Sequence, residues 1–316
     1  MPIQPAQTTL QNELFQKRVL DEITLWLTNY TSERTKQAYA RVLQSFSAFI
    51  AGNPLEATTQ DVIDYRDYLT AELKRSNSTI NQHLYAIRAF YGHLVKSGLL
   101  TENVATPVKA TKVIPYGKTK ALNTKEDEHI ILLESIDTDE EMGARDYAIV
   151  LLLITTGLRV SAISNAVVSD IVKSGSRYYL QFINKGGNED SAQLTPDVIQ
   201  ALKHYFSLRV ISGNSPLFRT VRGKSGNSSQ TFGKAMSRVA ISKMITKRAK
   251  QAGVSNISAH SLRHTSAIIL KKKGFSVSAI QKHLRHSDQR TTLIYLDHLD
   301  DDTDDEIASA MSDLKI

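Results

Sequence analysis

The sequence predicts a mainly α-helical protein in two domains, a four-helix N-terminal domain and a larger, mostly helical domain that contains a small antiparallel β-sheet. Three observations predict it. Apolar residues recur at spacings of three and four through the first hundred residues, as the buried stripes of helices do. A lysine-bearing stretch carrying Pro107, Pro115 and Gly117 then interrupts the pattern. Beyond it, helical periodicity gives way to alternation only once, around residues 178–195.

Taken in order, a first helix is expected around Leu14 to Leu27. From Ser32, the residues Tyr39, Val42, Leu43, Phe46, Phe49 and Ile50 form one stripe, which Gly52, Asn53 and Pro54 end. A third helix follows Thr59 with Val62, Ile63, Tyr65 and Leu69, and a fourth runs from about Thr79 until Gly98 closes it. No acid lies between Glu102 and Glu126, where Lys109, Lys112, Lys118 and Lys120 sit among the prolines. Two prolines and a glycine oppose a helix, so this reads as an extended linker whose lysines suit a strap along phosphates. The expected division is therefore a helical domain over 1–105, a basic linker over 106–121 and a second domain over 122–296, followed by an acidic tail over 297–316. The second domain opens with helical stretches at Lys125–Ser135 and Gly143–Thr156, the latter almost wholly apolar and hence buried. Tyr178, Leu180 and Phe182, with the run Gln193 to Thr195, flank Lys185, Gly186, Gly187 and Asn188 and read as a hairpin with a glycine-rich turn. Helices return from Pro196.

Composition narrows the chemistry. The 316 residues contain no cysteine, which removes disulfides, thiolate zinc sites and a cysteine nucleophile, and suits a reducing cytoplasm. The longest apolar run, Ala148 to Ile154, is seven residues, far short of the roughly 20 that span a bilayer. A soluble cytoplasmic protein without membrane contact is expected. The net charge of +7 understates the basic part, because residues 296–316 hold eight acids against one base. The 90 residues from Val198 to Ser287 contain 17 Lys and Arg and no Asp or Glu. At ordinary composition roughly ten acids would stand there. A densely negative partner, nucleic acid above all, explains the gap better than a basic face kept for solubility.

Three groups of residues could carry chemistry. His260 and Arg263, in HSLRH, are three apart and so project from one helical face. A guanidinium can grip two phosphate oxygens, and an imidazole can move a proton beside it. Arg159 follows TTGL where an apolar helix stops at a glycine, and an arginine so near a core needs an anionic partner. His286 lies in LRHSD, and Tyr295 follows nine residues later, after a helix expected to begin near Asp288. Taken singly, these read as a solvated helix end, a structural ion pair and a packing tyrosine. Their order and spacing, with a hairpin lysine between the first arginine and HSLRH, override those readings.

That combination resembles the tyrosine recombinase, or phage-integrase, family. TINQHLYAIRAFYGHL is similar to the last helix of the family's core-binding domain, so the resemblance spans nearly the whole chain. It implies a SAM-like core-binding domain and a catalytic domain that cleaves and rejoins DNA at a specific core site, with no metal or nucleotide cofactor. It also implies two protomers per site and a tetramer in the synapse, acting in integration, excision, resolution or inversion. By this resemblance Tyr295 is the nucleophile, Arg159 and Arg263 hold the phosphate, and Lys185 protonates the leaving oxygen. His260 assists proton transfer from the tyrosine, and His286 donates to the phosphate. The chain departs from the family pattern at three points. Ala162 stands where an acid is common, and Arg285 replaces a glycine before His286 and is expected to add a phosphate contact. The turn KGGNED lacks a second base, which leaves Lys173 as the alternative general acid.

Three other readings compete. His260, His264, His283 and His286 could be imagined as ligands of a metal-dependent nuclease, although the 198–287 stretch offers no carboxylate to join them. A non-catalytic DNA-binding protein and a type IB topoisomerase-like activity are the remaining two. Residues 1 to about 20 are too short for an additional DNA-arm domain, which favours a simple core site. In the tail, Thr303 and Glu306 form a capping-box pair, and Ile307, Ala310, Met311 and Leu314 share a face expected to dock on a neighbouring protomer.

Overall fold

The computed structural model describes residues 17, 19–51, 53–112, 121–124, 126–184, 187–221, 233–254, 256–286 and 292–293. The chain divides into two units, Met1–Ile114 and Pro115–Ile316. Lys118, Lys120, Lys185, Tyr295 and the whole of the acidic tail lie outside the described residues.

In the first unit, helix α1 covers 19–28, followed by α2 (Glu33–Ile50), α3 (Thr59–Ala71) and α4 (Asn77–Lys96). Each start is chemically marked. Ser32, Thr58 and Ser76 accept from backbone N–H groups of the first turns, and Thr58 and Asp61 complete a reciprocal capping box. The stripes of α2, α3 and α4 bury Phe46, Tyr65, Leu84, Ile87, Phe90 and Tyr91 in one core. Trp26 of α1 closes it by stacking on Tyr39, with centroids 5.3 Å apart and planes 8° from parallel.

After α4 the chain returns across that helix as a strap. Arg88 donates to the Val108 carbonyl at 2.7 Å, and Asn77 donates to the Lys112 carbonyl at 2.7 Å. Asn81 exchanges two bonds of 2.8 Å with the N–H and C=O of Thr111, so a buried side-chain amide stands in for a neighbouring strand. Lys109 and Lys112, expected in an extended linker, are exposed on this strap.

The second unit is built on α6 (Glu141–Thr156), buried along nearly its whole length. It is preceded by α5 (Glu128–Glu134) and followed by the short α7 (Val160–Ser164). Strands β1 (Ile171–Ser174), β2 (Arg177–Ile183) and β3 (Glu189–Leu194) form an antiparallel sheet in sequence order, with Leu180 opposite Ala192 on the buried face. Helices α8 (Pro196–Ser207), α9 (Arg238–Gln251), α10 (Ala259–Lys272) and α11 (Val277–Leu284) complete it. The hairpin falls where alternation places it, while β1 adds a strand the sequence reading lacks. Four residues are too few for alternation to show. Gly143 lets α6 pack: a Cβ there would lie 1.7 Å from the Asp137 carbonyl oxygen.

A buried charge network ties α6 to its neighbours. Asp146, 2% exposed, accepts from Arg145 at 2.6 Å and from Arg248 of α9 at 2.8 Å. Arg219 grips Glu141 through two bonds of 2.6 and 2.8 Å, and Arg145 donates to the Arg219 carbonyl at 2.9 Å. Among the described residues, no helix is long and apolar enough to cross a membrane.

Candidate active site

Three helix ends of the second unit converge on Gly157. This residue ends α6 in the left-handed conformation at φ +59°, which glycine alone adopts freely. A Cβ there would lie 2.6 Å from Cδ2 of Leu284 in α11 and 3.3 Å from both Nε2 of His283 and Oγ of Ser266 in α10. The carbonyl of Gly157 accepts from Nη1 of Arg263, and the carbonyl of Leu284 accepts from Nη2 of the same guanidinium. Arg263, 2% exposed, thus links the ends of α6 and α11 while standing on α10. These bonds fix the plane of its guanidinium.

Arg159 is delivered by the same turn. It caps α7 with extended backbone (φ −74°, ψ 144°), and its side chain is exposed. His260 stands in the first turn of α10, after a Ser258–Ser261 capping box, and is also exposed. Desolvation by the surrounding protein lowers its pKa, and the positive fields of Arg263, His264 and Arg159 lower it further. His286, immediately beyond α11, is 7% exposed and pairs through Nδ1 with the Thr292 hydroxyl at 2.8 Å. Burial pushes its pKa down to about 4, with Arg263, Arg159 and His260 adding to the shift. The structure therefore brings together Arg159, His260, Arg263 and His286, four of the residues singled out from the sequence. At neutral pH both histidines are uncharged, and the local field is positive.

Arg159 and Arg263 border a cleft of about 440 Å³, whose walls also include Asn184, Arg238 and Arg285; His260 and His286 stand within the fields of both arginines. A larger cavity of about 700 Å³ lies beside it, between α7 and the sheet, but Asp170, Glu189 and Asp190 line it. Carboxylates there oppose a polyanion, so the smaller, arginine-walled cleft is the candidate site. Arg238, the first residue of α9, went unrecognised in the sequence, where only its place in the acid-free stretch marks it. Arg285 reaches the cleft wall, but its guanidinium faces Asp190 of β3 at 3.2 Å and donates to the Ser191 carbonyl at 2.6 Å. Lys173 lies on β1, exposed, with its ammonium 5.8 Å from the Tyr178 ring. Lys185 falls outside the described residues, but its sequence neighbour Asn184 lines the cleft. Lys109 and Lys112 belong to the other unit.

His283, weighed in the sequence only as a metal ligand, is a packing group that pairs with the Ser266 hydroxyl at 3.1 Å. Burial, with Arg285 and Arg263, lowers its pKa to about 4. Among the described residues, no three His, Cys, Asp or Glu side chains gather as a metal centre.

Comparison with known proteins adds to this geometry. Residues 123–302 match the Phage integrase family, and residues 15–99 match the Phage integrase N-terminal SAM-like domain. The tyrosine recombinase XerC of Pelobacter propionicus is 30% identical over 276 residues, 84% of this chain and 84% of that protein. Lambda integrase (residues 75–356), solved as a dimer bound to a COC′ core site, superposes with a TM-score of 0.69 at 17% identity and covers 87% of this chain and 95% of that one. The lambda integrase tetramer bound to a Holliday junction gives 0.69 at 16% identity and covers 93% and 81%. With one model matching more than half its length and a relative this similar, the chain belongs to the phage integrase family of site-specific tyrosine recombinases.

Proposed function

We propose that the cleft beside Gly157 binds the scissile phosphate of a double-stranded core site and that Tyr295 attacks it. The observation that carries this reading is the arginine-walled cleft bordered by Arg159 and Arg263, with His260 and His286 within the electrostatic reach of both arginines. The phenol oxygen of Tyr295 forms a bond to phosphorus as the bond from phosphorus to the 5′-oxygen breaks, leaving a 3′-phosphotyrosine and a free 5′-hydroxyl. Arg159 and Arg263 face the non-bridging oxygens, where negative charge grows in the pentacoordinate transition state. His260, uncharged at neutral pH, takes the phenol proton, and His286 donates to the phosphate. Lys185 gives its proton to the departing 5′-oxygen. Its neighbour Asn184 on the cleft wall supports this choice over Lys173, which stands against Tyr178. Bond energy is kept in the phosphotyrosine, so resealing needs no nucleotide and the chemistry no metal.

The exposed Lys109 and Lys112, with Lys118 and Lys120 farther along the sequence, neutralise phosphates outside the cleavage point. Arg238 joins them from the cleft wall. Two protomers occupy one site and four make the synapse, each tail over 297–316 docking on a neighbour. The fold shared with lambda integrase, solved as a dimer on a core site and as a tetramer on a Holliday junction, supports that reading. Such a protein works on DNA in the cytoplasm, in integration, excision, resolution or inversion.

The test separates chemistry from binding. Arg159→Ala is expected to slow single-turnover cleavage by about 10² to 10³ while DNA affinity changes little, since one phosphate among many is affected. Equal losses in both would make Arg159 an ordinary backbone contact and remove the cleft as the cleavage site.

A further inference from the structure

Arg285 occupies a backbone position that disfavours it. It ends α11 at φ +56° and ψ +45°, a left-handed conformation that is strained for a non-glycine residue. Against that cost its side chain makes four contacts. Nη1 donates to the His283 carbonyl at 2.7 Å, Nη2 donates to the Ser191 carbonyl at 2.6 Å, and Nε lies 3.2 Å from Oδ2 of Asp190. The guanidinium also lies 5.5 Å from the centre of the Phe182 ring. Phe182 belongs to β2, and Asp190 and Ser191 belong to β3, so one side chain holds both strands of the hairpin to the end of α11.

The carboxylate it meets passes the constraint on. Oδ2 of Asp190 also accepts from Nδ2 of Asn184 at 2.7 Å, while Oδ1 accepts from the Ser191 N–H at 2.7 Å. Asn184 opens the β2–β3 turn, its N–H bonded to the Asn188 carbonyl at 2.7 Å. The next residue in the sequence is Lys185. Leu284, whose carbonyl accepts from Arg263, precedes Arg285 in the chain, and His286, which pairs with Thr292, follows it.

We propose that Arg285 is a positioning residue: through Asp190 and Asn184 it ties the end of β2 and the start of β3 to the end of α11, and so supports the proton donation assigned to Lys185, the residue that follows Asn184 in the sequence. This rests on the reading of Lys185 as general acid. In that step the electron pair of the breaking phosphorus–oxygen bond leaves on the 5′-oxygen, which takes a proton from the lysine ammonium and leaves a neutral amine. Arg285 touches neither phosphate nor leaving group. Its charge is spent on Asp190.

The variant that isolates the role is Arg285→Gly, which relieves the left-handed backbone while removing the latch. Asp190→Ala removes the latch from the other side. Cleavage is measured under single turnover on an ordinary core-site duplex and on one with sulfur at the bridging 5′ position, whose thiolate leaves without needing a proton. Both variants are expected to lose up to about 10²-fold on the oxygen substrate, the scale of a misplaced reacting group, and to approach the wild-type rate on the sulfur substrate. The double variant is expected to be no slower than the slower single one. Hydrogen exchange of the peptide spanning residues 184–191 in the full chain is expected to quicken in both variants. Lys185→Ala, run in parallel, reports separately on the underlying reading, because failure of sulfur to restore it removes the general-acid assignment whatever Arg285 does. The inference is overturned if Arg285→Gly cleaves the oxygen substrate normally, if sulfur restores Lys185→Ala but not Arg285→Gly, or if exchange is unchanged. A log–log salt dependence of DNA binding shallower by about 0.9 in Arg285→Gly would instead identify a phosphate contact and overturn it too.

Discussion

Two groups of arginines in the second unit show how one residue type serves two ends. Around α6, Arg145 and Arg248 share the buried Asp146, and Arg219 grips Glu141 through both oxygens. Around the cleft, neither Arg159 nor Arg238 forms an ion pair among the described residues. Where carboxylates cancel the guanidinium charge, the arginines hold helices together. Where they do not, the positive field persists and adds to the burial that lowers the pKa of His260 and His286. The acid-free stretch does not separate the two kinds, since it holds Arg219 and Arg248 as well as Arg238; the acids of α6 do, by pairing the first two.

The largest effect that could break this contrast is on stability. Asp146→Ala strands the buried Arg145, removes the partner of the half-buried Arg248, and is expected to lower the unfolding free energy by about 3 kcal/mol, read from urea midpoints. A loss no greater than that of a surface substitution would mean that the α6 network is dispensable.

A smaller effect concerns acid. His283 and His286 titrate near pH 4 in the folded chain and near the ordinary histidine value when unfolded. Below about pH 6.5 the unfolded chain therefore binds more protons, so stability is full above that pH and is lost progressively as pH falls towards 4. Urea midpoints that stay constant across this window would refute buried, neutral histidines. Core-site DNA should move the other way, since a phosphate beside His286 favours the charged ring, and NMR titration of the complex should show a raised pKa.

The smallest effect belongs to Arg238. Arg238→Ala is expected to flatten the log–log salt dependence of DNA binding by about 0.9, one phosphate's worth, and to leave the cleavage rate of the bound complex nearly unchanged. A loss of cleavage comparable with that of Arg159→Ala would move Arg238 from positioning DNA to acting on the reacting phosphate.

Much of this was legible in the sequence, for identifiable reasons. The stripes of α2 and α4 carry strong 3.6-residue periodicity, and HSLRH puts His260 and Arg263 on one face of α10 whatever the rest does. What escaped depends on contacts between residues distant in the chain. Asn81 and Thr111 are thirty residues apart, and only the fold reveals that a side-chain amide pins the strap. β1 is too short for alternation, and it exists because β2 offers it a partner. Arg285 reads as a free cation in the sequence, but a left-handed helix end turns it back onto Asp190, 95 residues earlier in the chain. Arg238 stands at an ordinary serine-capped helix start, and only the cleft gives it meaning.

The most direct test of the account is to trap the covalent intermediate. A core-site duplex nicked just beyond the cleavage point loses its short 5′-hydroxyl fragment on cleavage and cannot be resealed. With the wild-type chain, digestion and mass spectrometry should place the DNA adduct on the peptide containing Tyr295, formed in the presence of EDTA. Tyr295→Phe should bind the same duplex with similar affinity and yield no adduct. An adduct on any other residue, or cleavage that leaves no covalent product and stops with EDTA, would contradict the account.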